Sequence, residues 1–415
     1  MIDQVVVSPE EDARRRANFP IGASLSMNDL DGPGTEHLID HLRIREPVTW
    51  LPAIGGWFIT ERDAARDILL PRAGTTVEAE QNMVRASLGP MMLTVDGAAH
   101  DRLRVPFEKP FRARDSQRSF GPFIEQQADR LIEAILDANQ SAGFDANTSF
   151  AAPFAVTVAG HVIGLPLGET ELIEAFYGDF AAAMVYEGDS EPLRRADSAR
   201  EQLNSLLMAG LVSNRLSGAA SLTNDVRDDP GNELTDDELV AQLRVVMFGA
   251  VETMQASVLS TLFLLLSHPD QLAEVRASPS LLSGAVDEAI RCIPPVAFIE
   301  RWTEQPVTIK GVDIGVGEFV GISVLGTNTD PLVFPDPLTF DIHRTNARHG
   351  LSFSAGEHHC IGVHLARFQT VTAVGRLLES LPGLAIVDVQ PPRGFVFRQP
   401  SSLRLSWNPA ISRSP

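Results

Sequence analysis

Residues 353–367, FSAGEHHCIGVHLAR, gather side chains that can bind a metal. The segment holds Cys360, one of the chain's two cysteines, together with His358, His359 and His364. Such a set could coordinate zinc, could be a loop with an inert buried thiol, or could supply one thiolate to a haem iron. The spacing of the residues bears on each of these possibilities.

Zinc coordination requires several of these side chains to converge on one ion. His358 and His359 are sequence neighbours, so their side chains diverge. Cys360 and His364 have a spacing that would fit one helix face, but Cys360 precedes the helix. An inert buried thiol is the usual state of an isolated cysteine. We interpret Cys292 in this way and assign it no role.

A haem iron needs one strong axial donor from the protein, and the surroundings of Cys360 suit that task. A helix beginning after Gly362 would stabilise a thiolate through its dipole and its free N–H groups. Glycines let a backbone approach a flat porphyrin without clashes from Cβ atoms. Phe353, seven residues upstream, can shield the sulfur. A thiolate donor also favours cleavage of the O–O bond.

The segment resembles the haem-thiolate signature of the cytochrome P450 family, Phe-x-x-Gly-x-x-x-Cys-x-Gly. Phe353, Gly356, Cys360 and Gly362 occupy its four positions, and Ser354 stands where the family usually has glycine. The resemblance implies heme b as the cofactor and Cys360 as the iron ligand. It also implies a mainly α fold with small β-sheets and a long central helix over the haem.

A second motif of the family lies about 70 residues before the cysteine. The residues EAIR supply Glu288 and Arg291, which alone would be an ordinary helix ion pair at i and i+3. In the family both side chains pair with an arginine of a proline-rich meander, and FPDPLTFDIHR offers Arg344. The resemblance implies a buried structural network that holds the cysteine loop.

The two haem propionates require cationic and N–H donors around them. The resemblance assigns this task to His100 and Arg104 in LTVDGAAHDRLRVPF, to Arg301 in FIERWT, and to His358. His100 and Arg104 share a helix face at i and i+4. Without the resemblance, an exposed helix face would explain these two residues.

The segment MFGAVETMQAS resembles the oxygen-activation segment in the family's central helix. Gly249, Ala250, Glu252 and Thr253 fit the pattern, with Ala250 replacing a second glycine and Met254 replacing a frequent threonine. The resemblance implies that Thr253 hydrogen-bonds dioxygen or a water, and that Glu252 connects to solvent protons. The alternative is a glutamate paired elsewhere and a threonine bonded to its own helix.

Family position also nominates side chains for the substrate pocket, although each could equally belong to the core. They are Met91, Met92, Phe176, Phe180, Phe248, Val296, Ala297, Phe298, Phe395, Val396 and Phe397. Because this set is apolar, we expect a small hydrophobic or aromatic substrate.

Hydrophobic periodicity predicts the elements that must position these residues. Residues 115–220 have a helical pattern, and the longest helix is predicted over 235–267, where Thr235 and Glu238 form a capping box. That helix would be roughly 50 Å long and must run through the interior. Short strands are expected within 38–69, 307–324 and 392–409.

The chain of 415 residues is 44% hydrophobic, so it can bury a sizeable core. Together with the helical patterns, this predicts one mainly α domain over 1–415 with an arm and loop at 1–25. The net charge of −20 argues against nucleic-acid binding. Two cysteines exclude a disulfide framework and a four-cysteine metal site. We find no signal peptide, and the most apolar run, SVLSTLFLLLSH, is too short to span a bilayer, so we expect a cytoplasmic protein without membrane insertion.

The resemblance implies a monooxygenase that inserts one oxygen atom of O2 by hydroxylation, O-dealkylation or epoxidation. We find no flavin domain and no iron–sulfur cysteines, so electrons must come from separate proteins, and the resemblance implies ferredoxin and ferredoxin reductase as the donors. Arg112 and Arg114 are candidates to meet an acidic ferredoxin, although solvated charges would explain them equally. The alternatives are a peroxide-using or isomerising haem-thiolate enzyme without redox partner, and a non-catalytic haem sensor or zinc protein.

Overall fold

The computed structural model describes residues 5–70, 73–138, 143–165, 190–217 and 221–408, with residues 173, 176 and 178–180. The α-helices are α1 Pro9–Asn18, α2 Pro20–Ser24, α3 Met27–Asp31, α4 Thr35–Arg45, α5 Arg62–Leu69, α6 Met83–Leu88, α7 Gly97–Glu108, α8 Ala113–Asp137, α9 Ala152–Ile163, α10 Ser190–Ser217, α11 Leu222–Arg227, α12 Asp236–Ser267, α13 Pro269–Ala277, α14 Leu282–Cys292, α15 Val324–Asn328 and α16 Val363–Ser380. The strands are β1 Val48–Leu51, β2 Gly56–Ile59, β3 Thr75–Thr76, β4 Phe144–Asp145, β5 Phe298–Thr303, β6 Val307–Ile309, β7 Val312–Ile314, β8 Phe319–Ser323, β9 Ala385–Arg393 and β10 Gln399–Ser406. The fold is therefore mainly helical with small sheets, as the sequence predicts.

The chain forms two compact units. Unit 1 comprises Met1–Asn82, Gly284–Cys360 and Pro391–Ser401. Unit 2 comprises Met83–Ser283, Ile361–Gln390 and Ser402–Pro415. A single domain over 1–415 stays a prediction.

A five-stranded sheet of order β1-β2-β8-β5-β3 is the framework of unit 1. Strands β2 and β8 are parallel, with Trp57 opposite Val320, and the other pairs are antiparallel. One face packs on the buried side of α5, which contributes Ile68 and Leu69 to the same apolar cluster as Trp57 and Val320. Burial of these apolar side chains fixes the C-terminal end of α5 against the sheet.

The sequence pattern predicts an arm and a loop over residues 1–25. This prediction is wrong, because the structure has two helices there, α1 and α2. Ser8 caps α1 by accepting a hydrogen bond from the N–H of Glu11, and Pro9 occupies a favourable first-turn position. The guanidinium of Arg15 lies 4.6 Å from the ring centroid of Trp50 and pairs with Glu318 at 2.8 Å. These contacts hold α1 on the sheet of unit 1.

The long helix predicted over 235–267 is confirmed as α12, and it is the core of unit 2. Thr235 is its N-cap, and the reciprocal capping box with Glu238 is formed. The helix packs against α9, α10 and α16. By length and apolar composition alone α12 could cross a membrane. Its buried packing is that of the core helix of a globular protein, so this composition gives no support for a membrane span.

The remaining expectations for the elements agree with the structure where it describes them. Helices α8, α9 and α10 occupy much of 115–220, and most of 166–189 lies outside the described residues. A hairpin of β6 and β7 places Val307 opposite Ile314. Strand β10 pairs antiparallel with β4 in a sheet of order β4-β10-β9.

Candidate functional site

The loop that carries Cys360 is closed by its own backbone. The N–H of Cys360 donates to the carbonyl oxygen of Phe353 at 2.9 Å. The Cys360 side chain is half-buried. Helix α16 begins at Val363 with Gly362 as its N-cap, which confirms the predicted helix start after the cysteine.

No other residue type fits at Gly356 in this loop. Its φ is +70°, and a Cβ atom built there would lie 2.1 Å from the carbonyl oxygen of Leu69 at the end of α5. Ser354 also has a positive φ, +60°, at the position where the family usually has glycine. The loop therefore approaches α5 through a turn that only glycine fits at Gly356.

Cys292 is also half-buried, but it lies against a buried ion pair, and it serves as an internal comparison. Its Sγ lies 3.7 Å from Oε1 of Glu288 and accepts from Nη2 of Arg291 at 3.1 Å. Burial raises the pKa of the Cys292 thiol to about 12. The thiol stays protonated, which agrees with the interpretation of Cys292 as inert.

The structure brings Glu288, Arg291 and Arg344 together in unit 1, as the sequence predicts. Arg291 makes two hydrogen bonds of 2.7 Å to the carboxylate of Glu288, and Nε of Arg344 donates to Oε1 of Glu288 at 2.9 Å. The Glu288 and Arg291 side chains are fully buried. Arg344 also donates to the carbonyl oxygens of Pro335 and Asp336 in the meander. Two cations share one carboxylate, and backbone carbonyls satisfy further N–H groups.

Asn328, which sequence analysis missed, connects this network to the cysteine loop. Its carbonyl oxygen accepts from Arg291 at 2.8 Å. Its side-chain oxygen accepts from the N–H of Leu351 at 2.7 Å, and its Nδ2 donates to the hydroxyl of Ser352 at 2.7 Å. A buried asparagine at the end of α15 carried no local signal, because its partners are distant in sequence.

In the middle of α12 the burial of the helix is interrupted. Gly249 is exposed and Ala250 is half-buried, although Phe248 and Val251 beside them are buried. A Cβ atom at Gly249 would meet nothing within 4 Å. Glu252 is half-buried in the same stretch, and burial raises the pKa of its carboxyl group.

Thr253 adopts the geometry that the sequence analysis kept as the alternative. Its hydroxyl donates to the carbonyl oxygen of Gly249 at 2.5 Å. Ser257 donates in turn to the carbonyl of Thr253, and Thr261 to that of Ser257, both at 2.7 Å. A hydroxyl has one proton and two lone pairs, so Thr253 can still accept a hydrogen bond.

The four residues proposed for the propionates are placed in both units. In unit 2, His100 is only 2% exposed, which excludes the exposed-face alternative for it, and Arg104 is half-buried. In unit 1, Arg301 is buried in β5 and His358 is half-buried in a 3-10 turn. Nη1 of Arg301 donates to the carbonyl oxygen of Glu300 at 2.7 Å.

The pocket candidates of unit 2 are buried: Met91, Met92, Phe176, Phe180 and Phe248. The N–H of Met92 donates to Oε1 of Gln242 at 2.8 Å. Gln242 is itself 1% exposed on α12. A buried amide therefore ties the Met91–Met92 segment to the central helix, a contact that sequence analysis did not anticipate.

Among the pocket candidates of unit 1, Phe298 belongs to the core, and the others lie in two short segments that contact each other. Phe298 packs with Phe395 at a centroid distance of 4.5 Å and covers Gly321, so it belongs to the core beside the sheet. Val296, Phe395, Val396 and Phe397 are half-buried, and Ala297 is buried. The N–H of Ala297 donates to the carbonyl oxygen of Val396 at 2.8 Å, so these segments support each other.

The residues of each unit fit the requirements of a haem-thiolate protein. In unit 1, a half-buried cysteine lies on a loop whose glycine cannot carry a Cβ atom. In unit 2, the buried central helix has an open stretch beside Gly249, next to an acid and an alcohol. Haem binding needs a thiolate for the iron, cationic side chains for the propionates and small residues that leave space.

Known proteins with similar sequences agree with this interpretation. A family model described as Cytochrome P450 matches residues 194–393. The chain is 33% identical over 346 residues to cytochrome P450 monooxygenase PikC of Streptomyces venezuelae, covering 81% of this chain and 80% of the relative. It is 30% identical over 366 residues to 6-deoxyerythronolide B hydroxylase of Saccharopolyspora erythraea, covering 83% and 88%.

Solved structures with the same fold are also known. The crystal structure of CalO2 superposes with a TM-score of 0.81 at 25% identity, over 92% of this chain and 99% of the other. P450BioI in complex with a ligated acyl carrier protein gives a TM-score of 0.83 at 24% identity, over 92% and 100%.

Proposed function

The chain belongs to the cytochrome P450 family, and we propose that Cys360 is the thiolate ligand of its haem iron. Membership makes the protein a haem-dependent monooxygenase. The half-buried state of Cys360 and the loop around Gly356 support this ligand. Cys292 is a poor alternative because burial raises the pKa of its thiol to about 12.

Haem, when bound, supplies the iron at which dioxygen is activated. In our proposal His100, Arg104, Arg301 and His358 bind its propionates. Phe353, Gly356, Gly362 and Ala250 are assigned to haem binding in the same proposal because they match the family's motifs. The network of Glu288, Arg291 and Arg344 holds the cysteine loop through Asn328. Because this network is buried and its charges are paired, it fixes the position of the thiolate.

Glu252 and Thr253 are proposed to deliver protons. Burial favours the protonated carboxyl of Glu252, so this side chain can hold a proton within the protein. The hydroxyl of Thr253 donates to Gly249 and retains lone pairs that accept a hydrogen bond. Rotation of this hydroxyl away from Gly249 would let it donate to an oxygen atom in the open stretch of α12.

We propose a small hydrophobic or aromatic substrate, because the candidate pocket residues are apolar. Hydroxylation is the favoured reaction, with O-dealkylation and epoxidation as related outcomes. Two similar proteins carry names of this type, 6-deoxyerythronolide B hydroxylase and vitamin D(3) 25-hydroxylase.

A separate ferredoxin and its reductase are the proposed electron donors. Arg112, the N-cap of α8, and Arg114 are both exposed and can attract an acidic partner. A cytoplasmic location fits the net charge of −20 and the core position of α12.

The observation that carries the oxygen-dependent function is the acid and alcohol pair, Glu252 and Thr253, in the open stretch of a buried helix. Turnover should be measured with NAD(P)H, ferredoxin and reductase, and separately with hydrogen peroxide alone. We expect product only in the first assay. Product formed with peroxide alone would instead support the enzyme class that needs no redox partner.

Thr253→Ala tests the assignment in the same assay. We expect electron consumption to continue while product falls about tenfold or more and hydrogen peroxide is released, because proton delivery contributes factors of this size. Ser257→Ala, one helical turn away with the same type of hydroxyl bond, is the control. Unchanged coupling in Thr253→Ala would remove this residue from the proposal.

A further inference from the structure

Arg244 is a buried cation that the proposed mechanism does not use. It lies on α12 with 5% exposure, and burial lowers the pKa of its guanidinium to about 10, with a smaller contribution from Arg200. Its Nη1 donates to Oδ1 of Asn204 on α10. Among the described residues, no carboxylate forms an ion pair with it. A buried guanidinium without a counter-charge is costly unless something else binds it.

The unused donors of Arg244 lie on one edge of the guanidinium. Its Nε is buried and has no hydrogen-bond partner among the residues that the structure describes. Its Nη2 lies 3.6 Å from the Cβ position of Gly89, in the turn after α6. Nε and Nη2 form the edge that binds a carboxylate through two parallel hydrogen bonds.

Ser87, in the last turn of α6 and two residues before Gly89, provides a second observation. Its side chain is 1% exposed, and its buried Oγ has no hydrogen-bond partner in the described part of the chain. Its carbonyl oxygen accepts from Nη1 of Arg200 at 3.4 Å, and Arg200 pairs with Asp197 at 2.8 Å. Two arginines and one aspartate leave a net positive charge beside two buried donors that lack acceptors.

The position of Arg244 on α12 relates it to the proposed substrate. Arg244, Phe248 and Glu252 are spaced at i, i+4 and i+8, so they follow one face of the helix. At 1.5 Å per residue, Arg244 and Glu252 are about 12 Å apart along the axis. An apolar body over Phe248 would connect an anionic end at Arg244 to the acid and alcohol pair.

We propose that Arg244, with Ser87, binds a carboxylate group of the substrate, so that the substrate is an amphipathic organic acid. This inference rests on the proposed function and specifies its substrate class. The carboxylate accepts from Nε and Nη2 of Arg244, and the hydroxyl of Ser87 donates to it. The apolar part of the acid extends along α12 towards Glu252.

The test compares ω-phenylalkanoic acids of increasing chain length with their methyl esters at pH 7.5, where the acids are ionised. Dissociation constants are measured for the holoenzyme by calorimetry and by the shift of the Soret band. We expect at least one acid to bind about tenfold or more tightly than its ester, as for a charge-assisted hydrogen bond. Equal binding of acids and esters by the wild type would overturn the proposal.

Variants assign the preference to the named residues. Arg244→Met should abolish the difference between acid and ester, and Ser87→Ala should reduce it. Arg102→Gln, which removes an exposed arginine of α7, should leave it unchanged. An acid preference that survives in Arg244→Met would overturn the proposal.

Thermal stability separates ligand binding from a structural role. Removing an unpaired buried charge should raise the Tm of ligand-free Arg244→Met, whereas a structural arginine would lower it. A lowered Tm would contradict the proposal. A protein without thiolate-bound haem would refute the proposed function. The role of Arg244 would still be decided by the acid preference measured by calorimetry, because that measurement does not depend on haem.

Discussion

Both cysteines of the chain are half-buried, and they lie in different parts of unit 1. Cys292 contacts a buried ion pair, and burial raises the pKa of its thiol to about 12. Cys360 lies half-buried on a loop closed by its own N–H group. Burial and neighbouring charge set the reactivity of a thiol, so we expect Cys292 to be unreactive. The raised pKa of Cys292 leaves Cys360 as the candidate for metal binding.

Some residue assignments could be made from local spacing and others could not. The signature around Cys360 is contiguous, so its residues are recognisable in the sequence. The burial of His100 and the hydroxyl bond of Thr253 depend on packing and rotamers that spacing does not report. The unpartnered Nε of Arg244 also becomes visible only when its neighbours are known.

Glu252→Gln is predicted to stabilise the protein at alkaline pH. Because burial raises the pKa of Glu252, ionising it costs more in the folded than in the unfolded protein. In the wild type, the full cost applies at a pH above the pKa that Glu252 has in the folded protein. The cost disappears as the pH falls towards the pKa that Glu252 has in the unfolded protein. We expect the Tm of Glu252→Gln to exceed that of the wild type by about 1–3 °C at pH 8, with the difference shrinking at pH 5.

Thermal unfolding at both pH values checks this prediction. Glu201→Gln, which changes an exposed glutamate of α10, should leave the Tm close to that of the wild type. A lower Tm for Glu252→Gln at pH 8 would mean that the carboxylate stabilises the folded state.

At the scale of elements, α12 could be predicted from the sequence, but the contacts that support the cysteine loop could not. The start of α12 is local, because Thr235 and Glu238 cap it within one turn. The support of the cysteine loop is not local, since Asn328 joins residues of α14 to Leu351 and Ser352. Periodicity therefore predicted the long helix, while the link through Asn328 required the structure.

Glu288→Ala is predicted to be among the most damaging changes in unit 1. It leaves Arg291, whose side chain is fully buried, without its carboxylate partner. Removing one partner of a buried ion pair costs about 3–5 kcal/mol. Urea unfolding and haem content measured together should show lower stability and less bound haem.

Arg348→Ala is the matched control for this change. Arg348 pairs with Asp287, the residue before Glu288, but its side chain is 60% exposed. Asp287 is buried, but the guanidinium of Arg348 is largely solvated, so we expect a loss of about 1 kcal/mol or less. Equal destabilisation by the two variants would show that burial of the Glu288 network is not what holds this region.

At the scale of the whole molecule, charge determines which partners approach. The chain carries a net charge of −20, so an acidic ferredoxin is repelled unless it meets a local positive region. Arg112 and Arg114 are exposed at the start of α8 and could form such a region. Composition alone predicted the overall charge, and the structure adds that both arginines are accessible.

Replacing Arg112 and Arg114 by glutamate is predicted to raise the KM for ferredoxin about tenfold at low salt without changing substrate affinity. The effect should shrink as ionic strength rises, because salt screens exposed charges. Arg194→Glu, an exposed change on α10, is the control. Steady-state turnover against ferredoxin concentration measures the effect, and an unchanged KM would exclude these arginines from docking.

The central claim is that Cys360 binds the haem iron as a thiolate, and the absorption spectrum of the reduced, carbon-monoxide-bound protein tests it most directly. We predict the red-shifted Soret band of thiolate-bound haem in the wild type and in Cys292→Ala, and its loss in Cys360→Ser. Retention of this band in Cys360→Ser, or its absence from wild-type protein that contains haem, would contradict the claim.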